Sequence, residues 1–471
     1  MFLKVKTKWE LADGVDRQWA ESLLQDEGGR VVKQSPAKIV TVHRTADGVV
    51  YMKRSRHAPF LFRPLKYWFK DSPGRWEWGV AQAMQALGIP VVRHLALCEI
   101  WSARGLHEDI LITEGFDGKP LDEAGDVDPV QVMDFVEQCH QKGMVHGDLH
   151  LANILLHSQS GELRLVDLKG VRIEKDPDPA KQMMDLAYLN INFPMPLPEK
   201  LLRLRDQVRR KKMATRCGRC LKNNREFAPQ FHGGRRWWVR KPLLDEGLTV
   251  LLVNPDSALK GDALLKDGTS NTVGRHSGWI VKRYNFKKPL NLIKDIFRPS
   301  KAKKSFRLGY HLELLGIPTA RVVAVAEDRV FGFLIRSFLI MEEVSTAVTL
   351  GSTGDRDGLA TRVGKLIGRL HHEGFSHRDL KESNLLIDEQ GKPHLIDLDC
   401  LLYDGKAAPK AAIANLIRLD RGLQCTPVYT RANRIEFIKQ YCRETGLRRD
   451  SLKTMCAKRL ETITVNPCRF P

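Results

Sequence analysis

The chain has 471 residues, too many for one ordinary hydrophobic core and enough for two or three domains. An apolar share of 42% beside 28% charged residues fits a globular protein, and nowhere is there the run of roughly 18 apolar residues that spans a bilayer. Nine scattered cysteines, an odd number, do not make a disulfide framework, and a net charge of +20 calls for an anionic partner: nucleic acid, a membrane surface or a phosphorylated substrate.

In chain order, the N-terminus MFLKVKTKWE lacks the apolar stretch of a signal peptide, which predicts a cytoplasmic protein. A turn at T-A-D-G (45–48) leads into VVYMKRS, a predicted strand carrying Lys53. A helix follows with Val80, Met84 and Leu87 on one stripe, then a second with Val132, Phe135, Val136 and Cys139. The segment VHGDLHLANILL (145–156) precedes a short strand, LRLVDL (163–168). Residues 201–225 hold ten Lys or Arg against one acid, Asp206, with Leu201, Leu204 and Val208 spaced as a helix face. Within them Cys217 and Cys220 form a lone C-x-x-C without a second pair, which favours ordinary thiols over zinc. Residues 226–247, including FHGGRRWWVRKPLL, are expected to be a linker.

Beyond it the pattern returns. The turn R-H-S-G (275–278), the strand WIVKRYN with Lys282, a helix with Leu308, Leu312 and Leu315, and a helix with Val363, Ile367 and Leu370 lead to SHRDLKESNLLI (376–387) and HLIDLD (394–399). Asp148 to Asp379 is an offset of 231, Asp167 to Asp397 is 230, Lys53 to Lys282 is 229, and the G-I-P turns at Gly88 and Gly316 differ by 228. Four landmarks in one order at one spacing predict two tandem domains, 1–225 and 248–471.

The repeated residues are those of phosphoryl transfer, which needs metal ions, a positioned acceptor and neutralised phosphate charge. An Asp in a loop orients the attacking hydroxyl, an Asn five residues later and an Asp after the next strand hold Mg²⁺, and a strand lysine braced by a helix glutamate holds the α- and β-phosphates. Asp148, Asn153, Asp167, Lys53 and Glu77 fill these places in the first copy; Asp379, Asn384, Asp397 and Lys282 fill them in the second. Aligning the helices through their G-I-P ends puts Ser305 where Glu77 stands, and Glu313 falls on another face. His146 and His377 are expected to pack their loops. No G-x-G-x-x-G occurs in either copy; Gly268, Thr269 and Ser270 offer phosphate donors in the second, with a plain hairpin turn as the alternative.

The H-G-D-L-H-(x2)-N-I-L-L and V-D-L segments, the basic run after Lys53, the Glu77-Trp78 helix start, and the W-I-V-K-R-Y and R-D-L-K-(x2)-N segments together resemble the lipopolysaccharide core kinases, the heptose and Kdo kinases of the protein-kinase-like superfamily. The resemblance implies an α+β fold of two tandem bilobal kinase-like domains, each a small β-rich lobe and a helical lobe, using ATP and Mg²⁺. It implies a sugar hydroxyl of the lipopolysaccharide inner core as acceptor, with no nucleic acid, at the cytoplasmic face of the inner membrane. Residues 282–307, with ten basic residues and only Asp295 as acid, are then expected to face anionic lipid or core phosphates, while Trp237 and Trp238 among their arginines have two readings open, a lipid interface or buried packing. Two other readings stay open: a protein Ser/Thr kinase, which lacks an A-P-E signature here, and a pseudokinase scaffold.

Overall fold

The computed structural model describes residues 6–465 except 27, 36, 58–64, 103–104, 126, 194–197, 286–297, 355 and 406–407. The chain is a mixed α+β protein that divides into two compact units, Met1–Arg209 and Arg210–Pro471.

In the first unit six antiparallel strands lie in the order Lys6–Leu11, His94–Ser102, Gly105–Glu114, Gly48–Arg56, Lys38–Thr45, Arg30–Ser35. Gly48 closes the predicted turn at φ +128°, a backbone state that favours glycine. The helix Pro73–Ala86 starts where Ser72 accepts a hydrogen bond from the Arg75 amide and Pro73 supplies a preset φ. It stops before Gly88, at φ +61°. Val80 and Met84 are buried as expected, whereas Leu87 is 45% exposed because it lies past the last helical residue. The G-I-P turn then acts as a bracket: the Pro90 carbonyl accepts from the Leu165 amide at 3.1 Å, tying the helix end to the strand before Asp167. Beneath, Val132, Val136 and Cys139 of the helix Pro129–Gln141 close a core with Met84, Ile89, Leu165 and Leu168.

The second unit has seven antiparallel strands in the order Phe227–His232, Arg235–Arg240, Val322–Val330, Phe333–Glu342, Trp279–Tyr284, Asn271–His276, Leu264–Asp267. The lysine strand has the same neighbours as in the first unit. Ser300 caps the helix Lys301–Leu314, Gly316 ends it at φ +65°, and the Pro318 carbonyl accepts from the Leu395 amide at 3.0 Å. Leu308, Leu312, Leu315, Val363, Ile367 and Leu370 all enter the core.

Several expectations are corrected. Residues 226–247 are not a linker: two of their segments are sheet strands, and Asp245 caps the helix Glu246–Val253 as Asp16 caps Arg17–Gln25 at an offset of 229. The first unit accordingly ends at Arg209 rather than 225. Cys217 and Cys220, by contrast, are the ordinary thiols expected, buried and packed with Phe227 and Phe306. Trp237 is fully buried against Phe338, so it does not face lipid. Residues 286–297 of the basic stretch 282–307 lie outside the described residues. Among the described residues, no helix is long and apolar enough to cross a membrane.

Candidate active site

In the first unit Lys53 points from its strand onto the helix Pro73–Ala86, and its Nζ donates to Glu77 Oε1 at 2.6 Å and to Asp167 Oδ1 at 3.2 Å. Burial favours the neutral amine, but Glu77 and Asp167 more than reverse this and hold the Lys53 pKa above the ordinary lysine value. Glu77 is 3% exposed, and burial raises its carboxyl, only partly offset by Lys53. Asp167 is pulled below its ordinary value despite burial, by Lys53 and then by Lys38.

The catalytic-loop residues are held by backbone bonds that recur in both units. Asn153 Nδ2 donates to the Asp148 carbonyl at 3.0 Å, and Asn384 Nδ2 to the Asp379 carbonyl at 2.7 Å. The Asn153 carbonyl accepts from the Val166 amide, and that of Asn384 from the Ile396 amide, each at 3.0 Å. Asp167 and Asp397 then sit at φ +58° and +62°, left-handed positions unusual for aspartate and consistent with local strain at a functional turn. The Asp148 and Asp379 side chains reach solvent, at 64% and 42% exposure. His146 and His377 are buried, which lowers both their pKa values, and His377 Nε2 lies 3.1 Å from the Asp397 carbonyl; neither reaches out to a reactant.

Each Asn commits its amide nitrogen to the loop, which leaves its side-chain oxygen, with the carboxylate of Asp167 or Asp397, to offer oxygen donors. That set suits Mg²⁺. Cys400 Sγ also lies near Asp397 and Asp399, but burial pushes its thiol up and a soft sulfur suits Mg²⁺ poorly.

The second unit solves the missing glutamate differently. Ser305 is fully buried, 3.4 Å from the Tyr284 hydroxyl, and Glu313 is taken up by Arg240 at 2.8 Å and the Val322 amide at 3.2 Å. Lys282 instead bonds Asp397 and, at 2.5 Å, Asp399. Asp399 was not singled out from the sequence, although the doubled acid of L-I-D-L-D was visible; in the first copy the same position is Lys169. Burial, then Asp397 beside it, raises the Asp399 carboxyl, while Asp397 is held low by Asp399 and Lys282 against its burial.

A second missed pair anchors the loops. Asp185 accepts from the His146 and Gly147 amides at 2.6 and 2.8 Å; Asn415, at an offset of 230, accepts from the His377 amide at 2.8 Å and donates to its carbonyl at 2.9 Å. Their shared offset is the one trace of them in the sequence. Lys38 was also missed. It lies on the sheet face of Lys53, one non-adjacent pair along the register, and burial with the Lys53 charge lowers its pKa to about 8.

Residues 268–441 match the Lipopolysaccharide kinase (Kdo/WaaP) family. A 3-deoxy-D-manno-octulosonic acid kinase of Xylella fastidiosa is 32% identical over 97 residues, 20% of this chain and 39% of the relative. One of Vibrio cholerae is 31% identical over 130 residues, 26% of this chain and 54% of the relative. The chain therefore spans about half or less of the curated relatives' length in these matches. A solved structure titled "WaaP in complex with acyl carrier protein" is matched at TM-score 0.36 and 18% identity, over 47% of this chain and 98% of that one.

Proposed function

We propose that the chain is an ATP-dependent kinase that phosphorylates a sugar hydroxyl of the lipopolysaccharide inner core, a Kdo or heptose residue, and that both units are bilobal kinase-like modules. The observation that carries this reading is the convergence, in each unit, of a sheet lysine, a carboxylate beside it, a left-handed aspartate and a loop Asp–Asn pair. Asp148 and Asp379 would receive the proton of the acceptor hydroxyl; both are accessible. Lys53 and Lys282 would hold the α- and β-phosphates, with Glu77 and Asp399 keeping them charged and aimed. Asn153 with Asp167, and Asn384 with Asp397, would hold Mg²⁺, which supplies neutralisation of the transferred phosphate.

Lys38 opens its strand and pairs with Ser35 of the preceding one, where a glycine-rich loop would cover phosphates, and would add a second cation there. In the second unit Gly268 sits in the corresponding turn, braced by Asn285 Nδ2 on its carbonyl at 3.0 Å. The acceptor would be reached at an anionic membrane surface, in keeping with the net charge of +20.

The test is transfer of labelled γ-phosphate from ATP to deacylated core oligosaccharide, followed by mass spectrometry of the product. Incorporation that is lost in the Asp148→Ala/Asp379→Ala double variant supports the reading; no incorporation by the wild type would sink it.

A further inference from the structure

The first unit has an open cleft of about 1670 Å³ that the nucleotide site does not use. It is walled by the strand Lys6–Leu11, the turn Leu65–Trp68, the start of the helix Pro73–Ala86 and the segment just after Asp167. Seven cations line it: Arg75, which is paired with Glu99, and six others, Lys6, Lys8, Lys66, Lys70, Lys169 and Arg172. None of these six forms an ion pair among the described residues; Lys8 and Lys66 lie instead over the Trp101 and Tyr67 rings, at 4.9 and 4.5 Å, which leaves their charge uncompensated. Of the acids at the wall, Glu99 is held by Arg75 at 2.8 Å, leaving Asp71. A concave surface with this excess focuses positive potential.

The cleft is fixed to the catalytic loop. Arg172 pairs in register with Val145, three residues before Asp148. At Gly170 a Cβ would meet the His146 carbonyl at 2.8 Å and lie 3.9 Å from the Asp148 amide nitrogen, so the cleft floor touches the loop that carries the proposed base. At the rim stand Trp68 and Phe69, 58% and 92% exposed, between Lys66 and Lys70. Exposed Trp and Phe beside lysines are the side chains of a lipid-interface surface, apolar rings toward the acyl boundary and cations toward the headgroups.

We propose that this cleft seats the phosphomonoesters of a lipid-linked sugar head group, with Trp68 and Phe69 at the lipid boundary, and so presents an acceptor hydroxyl to Asp148. The inference rests on the kinase reading above and adds to it the place and the charge of the acceptor.

The full chain would be titrated with lipid A in phosphatidylcholine vesicles, with the deacylated bisphosphorylated disaccharide of lipid A in solution, and with phosphatidylglycerol vesicles of matched surface charge. Lipid A is expected to bind more tightly than phosphatidylglycerol. Lys66→Glu/Lys70→Glu/Arg172→Glu should weaken binding of lipid A and of the soluble disaccharide by about tenfold or more, leaving binding of a fluorescent ATP analogue unchanged. The charge-keeping Lys66→Arg/Lys70→Arg/Arg172→Lys variant should bind as the wild type does. Trp68→Ala/Phe69→Ala should weaken lipid A only; equal weakening of the disaccharide would overturn the lipid-linked part in favour of a free phosphosugar. Equal binding of lipid A and phosphatidylglycerol, or wild-type binding by the charge-reversed variant with its ATP site intact, would overturn the cleft. Failure of the wild type to bind ATP or transfer phosphate would fall on the kinase reading instead.

Discussion

The two units place the same charge on different elements. In the first, the carboxylate that braces the sheet lysine comes from the helix, Glu77, and the turn after the left-handed aspartate carries a cation, Lys169. In the second, the helix position is Ser305 and the turn carries the carboxylate, Asp399. Either way a half-buried or buried ammonium meets two carboxylates, because a lone buried charge is too costly to keep. The lesson is that an absent helix glutamate says little about whether a lysine is anchored. The family match falls on the unit without that glutamate.

The sharpest way to break the proposed equivalence is to remove each proposed base singly. Asp148→Ala and Asp379→Ala should each lower the turnover of its own unit by roughly 10²–10⁴, the usual contribution of a positioned acid or base. Steady-state transfer to core oligosaccharide reads this: two partial losses mean two working sites, and a total loss from one variant assigns all turnover to that unit. The charge exchange itself comes next. In a Lys53→Met background, Asp399→Lys sets a like charge against Lys282 and should abolish binding of a fluorescent ATP analogue. Adding Ser305→Glu rebuilds the first unit's pattern and should restore part of it. No restoration would show that the turn carboxylate does more than brace the lysine.

Much of this was legible in the sequence because short-range chemistry writes itself in short motifs. The loop aspartates, their asparagines and the aspartates at 167 and 397 all lie where their spacing put them, since each is fixed by backbone bonds within about twenty residues. What stayed hidden is what the tertiary fold brings from afar. Asp185 and Asn415 sit on helices some forty residues beyond the loops they hold, and they differ in type, so no motif joins them. Residues 226–247 looked like a linker because G-G and clustered arginines read as loop, yet the glycines make the tight turn of a hairpin, at φ +54° and +72°. For Trp237 the sequence left a lipid interface and a buried place both open; strand alternation turns it inward while Arg236 lies over the Trp238 ring.

The loop anchors give a prediction of intermediate size. Asp185→Asn should be tolerated, since Asn415 performs the same task with an amide. Asp185→Ala leaves the His146 and Gly147 amides without their acceptor and should cost about 1–3 kcal/mol per orphaned group in denaturant unfolding of the first unit. A large loss in the Asn variant would show that the negative charge, and not the acceptor, is what the first unit requires.

The smallest expected effect separates the two phosphate-side hairpins. Lys38 has its pKa lowered to about 8 by burial and by Lys53, whereas the second unit has Gly268 in the corresponding turn. A lysine depressed in the folded state is charged below that value and neutral above it. Its effect on stability therefore becomes more favourable as pH rises from about 8 toward the ordinary lysine value, because the unfolded chain still binds the proton that the folded chain has released. Its effect on phosphate binding has the opposite sign: the cation is the phosphate ligand, so ATP affinity of the first unit should fall as pH rises through about 8. Measured with Lys282→Met silencing the second site, the wild-type hairpin should lose affinity by up to about tenfold per pH unit above that point, and Lys38→Met should be weaker at pH 7 and flat across the range. A flat wild-type profile would remove Lys38 from the phosphate site and leave the two hairpins alike, each a turn that positions strands and contributes no charge.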